Sequence, residues 1–162
     1  MGILNYGSQF IDKDDILSVE SSLTQNYLTT GPIVKKFEDK IKKNLNCKFV
    51  ASCSSGTAAI NLAFKAINLK KNDIVILPII NFISSTNILT QLNAKVFYSD
   101  VDPLTGQMTP DLLNQCIKKN KLKNIKAFVT MYLGGCCNYN YDFFKLKKKL
   151  NCYMIEDACH AL

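Results

Sequence analysis

The sequence predicts an α/β fold in which helices cover both faces of a mainly parallel sheet, a three-layer α-β-α arrangement. Short apolar runs alternate with longer segments of helical periodicity, and the alternation continues through most of the 162 residues. Strands joined by helices form parallel sheets with helices on both faces. Hydrophobic residues make up 48% of the chain, which is enough for the core that such a sheet needs.

Two helices are predicted before the first strand. The first covers residues 12–25 and begins at Asp12, whose carboxylate can accept hydrogen bonds from the first turn. A turn at residues 29–32 separates it from the second helix, which Pro32 opens. The apolar face of the second helix consists of Ile33, Phe37, Ile41 and Leu45.

Five strands with intervening helices are predicted in the rest of the chain. The predicted strands are residues 49–51, 74–77, 95–99, 125–131 and 152–155. The helices that connect them are predicted at four places. Two begin near Ser55 and at Thr109-Pro110, and two cover residues 83–92 and 139–150. In such sheets ligands bind beyond the carboxyl ends of the strands, so the residues that follow the strands are the candidate site residues.

The charge of the chain argues against nucleic acid as a partner. The net charge is +7, and the sequence contains no arginine, so all the positive side chains are lysines. Proteins that read a nucleic-acid sequence rely on the flat guanidinium group of arginine. The lysines are scattered over helix faces apart from a run at residues 147–149, which indicates a solvated surface.

The cysteines and the apolar runs exclude other classes of protein. Seven cysteines are present without a C-x-x-C pair, and one histidine is too few for a histidine-rich metal site. We therefore predict reduced cysteines, no metal centre and a cytoplasmic location. No apolar run approaches the roughly 20 residues that cross a membrane, and the start of the chain does not resemble a secretory signal.

The first candidate site is a serine-rich segment. Ser55, Gly56 and Thr57 lie between a predicted strand and a predicted helix, where free N–H groups and the positive end of the helix dipole meet a ligand. Small side chains permit a close approach, so the segment suits one phosphate group. Nucleoside-triphosphate and dinucleotide loops are excluded, because neither G-K-S/T nor G-x-G-x-x-G occurs here. An ordinary serine cap is the alternative.

Two more candidates follow other strands. Asp157 comes directly after the last predicted strand and can pair with a heterocyclic cation, or else it caps a helix. His160, the only histidine, is close behind it and has a structural role as its alternative. Phe82 follows the strand that ends at Pro78 and can stack on a flat ring, or else it belongs to the core. A phosphate site, an aromatic plate and a carboxylate at one sheet edge are typical of a site for pyridoxal phosphate.

These segments resemble those of the DegT/DnrJ/EryC1/StrS sugar-nucleotide aminotransferases, which belong to the fold-type I class of pyridoxal-phosphate enzymes. The matching stretches are, in family order, residues 28–32, 37–38, 55–59, 78–82, 84–87, 100–102, 105–106, 132–134 and 155–162. The resemblance implies that residues 1–162 are the incomplete large domain of such an enzyme. It implies a helical segment at residues 1–46, the sheet at residues 47–162, and a C-terminal domain that is absent.

The resemblance also implies a binding site for pyridoxal 5'-phosphate. The residues that it assigns to the cofactor are Ser55, Gly56, Thr57, Phe82, Asp157 and His160. Gly56 and Thr57 would hold the phosphate, and Phe82 would stack on the pyridine ring. Asp157 would pair with the ring nitrogen, and His160 would lie by the ring hydroxyl or support Asp157.

Both ends of the chain look most like the subgroup that makes the 4-amino sugar precursor of pseudaminic acid. The resemblance to this subgroup implies that the sugar nucleotide is bound by Tyr6, Asn26, Tyr27, Leu28 and Thr29. Family members hold their cofactor on a Schiff-base lysine, which we expect beyond Leu162. No residue of this chain is therefore expected to be catalytic.

The implied activity of the full-length protein is transfer of an amino group from glutamate to a nucleotide-linked keto-sugar, in a homodimer, for bacterial surface-sugar biosynthesis. The chain by itself is expected to be inactive, because it lacks the lysine. One alternative is a sugar dehydratase of the same family, in which a histidine replaces that lysine. The other is a non-catalytic remnant that binds the cofactor.

Overall fold

The structure is a computed structural model that describes residues 7–161. The chain forms two compact units, the first ending at Ser52 and the second beginning at Cys53. Tyr6, one of the predicted substrate-binding residues, lies outside the described residues. Within the described part, no helix is both long and apolar enough to cross a membrane.

The first unit contains the two predicted helices, α1 (Lys13–Leu23) and α2 (Pro32–Asn44). Asp12 caps α1, because its Oδ1 accepts the N–H groups of Asp14 at 2.9 Å and Asp15 at 3.0 Å. The carboxylate of Asp15 in turn accepts the N–H of Asp12 at 3.1 Å, which completes a capping box. Both predicted helix starts, at Asp12 and at Pro32, are confirmed.

The second unit alternates helices and strands along the chain. Its helices are α3 (Gly56–Ala66), α4 (Ser84–Gln91), α5 (Pro110–Lys119) and α6 (Asn140–Leu150). Its strands are β1 (Ile74–Pro78), β2 (Lys95–Ser99), β3 (Ile125–Met131) and β4 (Tyr153–Asp157). A short 3-10 turn (Leu133–Gly135) follows β3.

Among the described residues the strands form one sheet in the order β2-β1-β3-β4, and every neighbouring pair is parallel. Pro78 of β1 pairs with Ser99 of β2, and Met131 of β3 pairs with Asp157 of β4. The carboxyl ends of the strands therefore lie along one edge of the sheet, where ligands bind in parallel α/β folds.

Helices cover both faces of the sheet, so the three-layer prediction is confirmed. On one face, α3 and α4 pack on Val75 and Leu77 of β1 together with residues of β3 and β4. On the other face, α5 and α6 pack on Ile76 and Phe128. The alternation of Val75, Ile76 and Leu77 between the two faces follows the two-residue period of a strand.

The predicted strand at residues 49–51 is wrong. These residues belong to the first unit, adopt no strand conformation and leave 90% of the Phe49 side chain exposed. A strand persists only when its N–H and C=O groups pair with a neighbouring strand, and the sheet described here pairs none with this segment. An apolar run of three residues is also too short to specify a strand.

Candidate functional site

The first turn of α3 presents free N–H groups at the carboxyl edge of the sheet. Ser55 caps the helix: its Oγ accepts the N–H of Ala58 at 3.2 Å, and its carbonyl accepts that of Ala59 at 3.0 Å. The N–H groups of Gly56 and Thr57 have no partner within the helix, because helix geometry leaves the first donors unsatisfied. Ser55 is therefore a helix cap, and it leaves two exposed donors beside it for an anion.

Asp157 is the last residue of β4 and is only 5% exposed. Its carbonyl accepts the N–H of Tyr132, at 3.1 Å, and its Oδ1 accepts the N–H of Cys159, at 3.2 Å. Its side chain closes a turn with Cys159, and no helix is described in residues 158–161. A buried carboxylate at a strand end is chemically suited to hold a cationic ring nitrogen.

The N terminus of α3 and the segment after β4 are in direct contact. A Cβ atom built on Gly56 would lie 3.0 Å from Sγ of Cys159. Cys159 also donates its N–H to Asp157, so one residue touches both predicted parts of the site. The structure thus brings the phosphate-binding candidate and the carboxylate candidate together at one edge of the second unit.

The thiol of Cys159 is held in its neutral form. Its hydrogen bond with the Asp157 carboxylate, burial and the charge of that carboxylate together raise the pKa of Cys159 to about 11. A protonated thiol donates a hydrogen bond and is a poor nucleophile. Sequence reasoning missed this contact, because nothing in the local pattern places residue 159 against residue 56.

A glycine loop after β3 lies against His160. The N–H of Gly134 donates to Nδ1 of His160 at 3.3 Å. Gly135 has a φ of +79°, and a Cβ atom on it would lie 2.8 Å from the carbonyl oxygen of His160. This close approach requires glycine at position 135. His160 is therefore joined to the same edge of the sheet as Asp157.

Gln107, which sequence reasoning missed, binds the glycine loop at residues 133–136 through two hydrogen bonds. The side chain is 5% exposed, and its Nε2 donates to the carbonyl of Cys136 at 2.8 Å and to that of Leu133 at 3.4 Å. A buried amide with two loop carbonyls as partners fixes the loop conformation. A single glutamine in a turn gives no sequence signal for such a contact.

Tyr132 connects the ends of β3 and β4. Its side chain is 5% exposed, and its hydroxyl donates to the carboxylate of Glu156. Burial, followed by the hydrogen bond and charge of Glu156, raises the pKa of Tyr132 well above its ordinary range. The phenol therefore remains a donor at physiological pH, and it orients the strand ends that carry Asp157.

Phe82 lies after the carboxyl end of β1 with 62% of its side chain exposed. The alternative that it belongs to the core is therefore wrong for the described chain. The turn before it is held by Asn81, whose side-chain amide donates to the carbonyl of Pro78. Phe82 is therefore exposed just after the carboxyl end of β1.

The predicted substrate residues that are described lie in the first unit. Asn26, Tyr27, Leu28 and Thr29 are all exposed. Asn26 and Tyr27 line a cleft of about 300 Å³, and the other lining residues are Thr24, Gln25, Pro32 and Ile33. The cleft is a surface on which a polar ligand can rest, and Leu28 and Thr29 lie outside its lining.

No group of three or more histidine, cysteine, aspartate or glutamate side chains within residues 7–161 is arranged to hold a metal ion.

Known proteins are similar to this chain in both sequence and fold. The chain is 29% identical over 160 residues to the UDP-4-amino-4,6-dideoxy-N-acetyl-beta-L-altrosamine transaminase of Campylobacter jejuni, which covers 99% of this chain and 42% of the relative. The structure matches the aminotransferase from Psychrobacter cryohalolentis with a TM-score of 0.87 and 25% identity, over 99% of this chain and 40% of that one.

A second solved structure includes a bound cofactor. It is that of ntda from Bacillus subtilis with bound cofactor PMP, which matches with a TM-score of 0.83 and 26% identity over 94% of this chain and 35% of that one. The chain spans 38% to 42% of the length of the curated relatives that it matches.

A sequence profile of the DegT/DnrJ/EryC1/StrS aminotransferase family matches residues 9–162, which is nearly the whole chain. Four of the stretches that carry the resemblance, residues 55–59, 78–82, 132–134 and 155–161, lie at or next to the carboxyl ends of the strands. The chain belongs to the DegT/DnrJ/EryC1/StrS aminotransferase family.

Proposed function

We propose that the whole protein uses pyridoxal 5'-phosphate to transfer an amino group from glutamate to a nucleotide-linked keto-sugar, for bacterial surface-sugar biosynthesis. The observation that carries the proposal is the contact between the N terminus of α3 and the segment that holds Asp157. The names of relatives that act on UDP-linked amino sugars support the substrate class.

The residues present fit the cofactor at both of its polar ends. The phosphate is bound by the free N–H groups of Gly56 and Thr57 at the positive end of the α3 dipole. Ser55 accepts the N–H of Ala58, and its own hydroxyl proton remains available for the phosphate. The absence of a side chain at Gly56 allows the close approach that such an anion site needs.

Asp157 holds the proton on the ring nitrogen. Asp157 is only 5% exposed, and its Oδ1 accepts one N–H group. The carboxylate can therefore still accept a hydrogen bond from a cationic ring nitrogen. When bound, pyridoxal phosphate supplies a protonated pyridine ring that withdraws electrons from the substrate carbon during amino transfer. Attraction to a nearby carboxylate keeps that ring charged.

Phe82 and His160 act on the ring itself in this proposal. Phe82 covers one face of the pyridine, and its exposed side chain has room to do so. His160, whose Nδ1 accepts the N–H of Gly134, lies by the ring hydroxyl or supports Asp157 in this proposal. Asn26, Tyr27, Leu28 and Thr29, with Tyr6, bind the sugar nucleotide.

The lysine that holds the cofactor belongs to a part of the protein outside this chain. Lys147, Lys148 and Lys149 form the last turn of α6, next to the amino end of β4. That end lies at the opposite edge of the sheet from Asp157. The activity therefore requires the rest of the protein, which we propose to be a cytoplasmic homodimer.

Absorbance spectroscopy of the full-length protein tests the function. Added pyridoxal phosphate should give a band near the visible edge, borohydride should remove it, and glutamate should discharge it. Asp157→Asn should abolish turnover with a keto-sugar nucleotide, whereas Asp111→Asn, on the exposed first turn of α5, should leave turnover unchanged.

Four results separate the alternatives. Turnover without the amino donor, together with a histidine in place of the lysine, would identify a sugar dehydratase. A band that glutamate does not discharge, without turnover, would identify a non-catalytic remnant that binds the cofactor, and the absence of any band would contradict the proposed function. Amino transfer by the purified 162-residue chain would contradict the location of the lysine outside it.

A further inference from the structure

We propose that Cys159 is a positioning residue that fixes the separation between the N terminus of α3 and the carboxylate of Asp157. The inference rests on the proposed function, in which these two groups bind opposite ends of one cofactor. A rigid cofactor requires a defined distance between its phosphate and its ring nitrogen, so a residue that touches both groups can set that distance.

The packing of Cys159 on α3 is the first observation. A Cβ atom on Gly56 would lie 3.0 Å from Sγ, so the sulfur occupies the space that a side chain at position 56 would fill. The two residues are therefore complementary in size. A methyl group at position 56 requires the sulfur or the first turn of α3 to shift by a few tenths of an ångström.

The bonding of Cys159 to Asp157 is the second observation. The N–H of Cys159 donates to Oδ1 of Asp157 at 3.2 Å, and this carboxylate raises the pKa of the Cys159 thiol. Asp157 itself is fixed in the sheet, because it pairs with Met131 and its carbonyl accepts the N–H of Tyr132. The backbone of Cys159 is therefore bonded to Asp157 while its sulfur lies against the first turn of α3.

These observations predict a coupling between residues 56 and 159 that neither residue shows alone. A larger residue 56 should disturb Asp157 through the sulfur, and a smaller residue 159 should relieve that disturbance. An exposed cysteine with no positioning role would show no such relief, because its removal would act independently of Gly56.

The test measures binding of pyridoxamine 5'-phosphate to the full-length protein by isothermal titration calorimetry. This ligand cannot form an imine with a lysine, and pyridoxamine without phosphate is the ligand control. The variants are Gly56→Ala, Cys159→Ala, the double variant and Cys159→Ser. Cys47→Ala, in the first unit, is the control for the loss of a cysteine.

We expect Gly56→Ala to weaken binding about tenfold and Cys159→Ala about fivefold, since each disturbs roughly one hydrogen bond or close contact. The double variant should bind more tightly than Gly56→Ala alone. Cys159→Ser keeps a hydroxyl donor for Asp157 and should stay within about threefold of the unsubstituted chain. Cys47→Ala should have no effect.

Two outcomes would overturn the inference: unchanged binding in Cys159→Ala, or effects of the two substitutions that multiply without coupling. Failure of the unsubstituted full-length protein to bind pyridoxamine 5'-phosphate would instead reject the proposed function. In that case urea unfolding of the same four variants still tests the contact between Gly56 and Cys159. Additive changes in the free energy of unfolding would show that the two residues are not coupled.

Discussion

The two units of the chain hold their helices in different ways. In the first unit α1 and α2 bury no residue, and Leu17 and Phe37 are 59% and 55% exposed. In the second unit α3 and α6 each bury large side chains against the sheet, among them Phe64 and Phe143. Apolar burial is the main stabilising contribution to folding, so the helices of the second unit depend on the sheet. In the first unit, α1 has local support from the Asp12 capping box and α2 from Pro32 in its first turn.

The largest expected change in the free energy of unfolding comes from truncating a buried phenylalanine of the second unit. Phe128 of β3 is fully buried, and its ring centroid lies 5.7 Å from that of Phe143. Phe128→Ala should lower the free energy of unfolding by about 4 kcal/mol, because it removes apolar contact and leaves a cavity. Urea unfolding followed by circular dichroism measures the change.

Phe37→Ala on α2 is the matched control for this experiment. The residue is already 55% exposed, so the same truncation should change the free energy of unfolding by less than about 1 kcal/mol. Equal losses at the two positions would show that the two units do not differ in the way proposed.

Two glycines with the same backbone conformation give the next comparison. Gly7 in the first unit and Gly135 in the second have φ values of +78° and +79°. A Cβ atom on Gly7 meets nothing within 4 Å, whereas one on Gly135 lies 2.8 Å from the carbonyl of His160. Gly7→Ala should cost about 1 kcal/mol of backbone strain, and Gly135→Ala about 1–2 kcal/mol more for displacing the loop.

Thermal or urea unfolding of the two variants checks this difference. Gly135→Ala should also change the ¹H–¹⁵N resonances of Gly134 and His160, since their hydrogen bond depends on the loop position. Equal stabilities of Gly7→Ala and Gly135→Ala would contradict the close contact between the loop and His160.

Local chemistry made most of the fold predictable. Asp12, Pro32 and Thr109 begin helices as expected, because a side-chain acceptor or a fixed φ acts within one turn of the chain. The strands at residues 95–99 and 125–131 are found at the predicted bounds, since apolar runs ended by turns define them. Each of these features is determined by residues close together in sequence.

The parts that sequence could not supply depend on contacts between distant residues. The site segments were predicted to meet, but the contact of Gly56 with Cys159 and the bonds from Gln107 to the glycine loop were not. Neither contact leaves a periodic pattern, because each joins side chain or backbone groups that are more than 25 residues apart. The false strand at residues 49–51 has the same cause: pairing, rather than composition, decides whether a strand exists.

The alkaline behaviour of Cys159 provides a smaller and local test of the second unit. The bond to Asp157 raises the pKa of the thiol from its ordinary 9.0 to about 11. Alkylation of this thiol by iodoacetamide should therefore rise steeply with pH up to and beyond pH 10, and Asp157→Asn should shift the profile to lower pH. Peptide mass spectrometry at timed intervals measures the rate, and an unchanged profile in Asp157→Asn would contradict the bond.

The smallest expected effect concerns Glu38 in the first unit. Its contribution to stability is lost toward low pH, whereas that of Cys159 is lost toward high pH. The N–H and the hydroxyl of Ser52 both donate to Oε1 of Glu38 at 2.8 Å, and these bonds, the backbone one first, lower the pKa of Glu38 from its ordinary 4.5. A carboxyl whose pKa is lowered by folding stabilises the folded state above its ordinary pKa, and this contribution is lost as the pH falls. For Cys159, whose pKa is raised, the contribution is present below pH 9.0 and is lost as the pH rises toward 11.

Ser52→Ala separates the two bonds to Glu38, because it removes the hydroxyl and keeps the backbone N–H. The pKa of Glu38, followed by NMR titration of its side-chain carboxyl carbon, should rise only part of the way to 4.5. A complete return would mean that the hydroxyl acts alone. This titration tests whether acid first destabilises the first unit, through Glu38. The alkylation profile of Cys159 tests whether alkali first weakens the contact between α3 and the segment after β4.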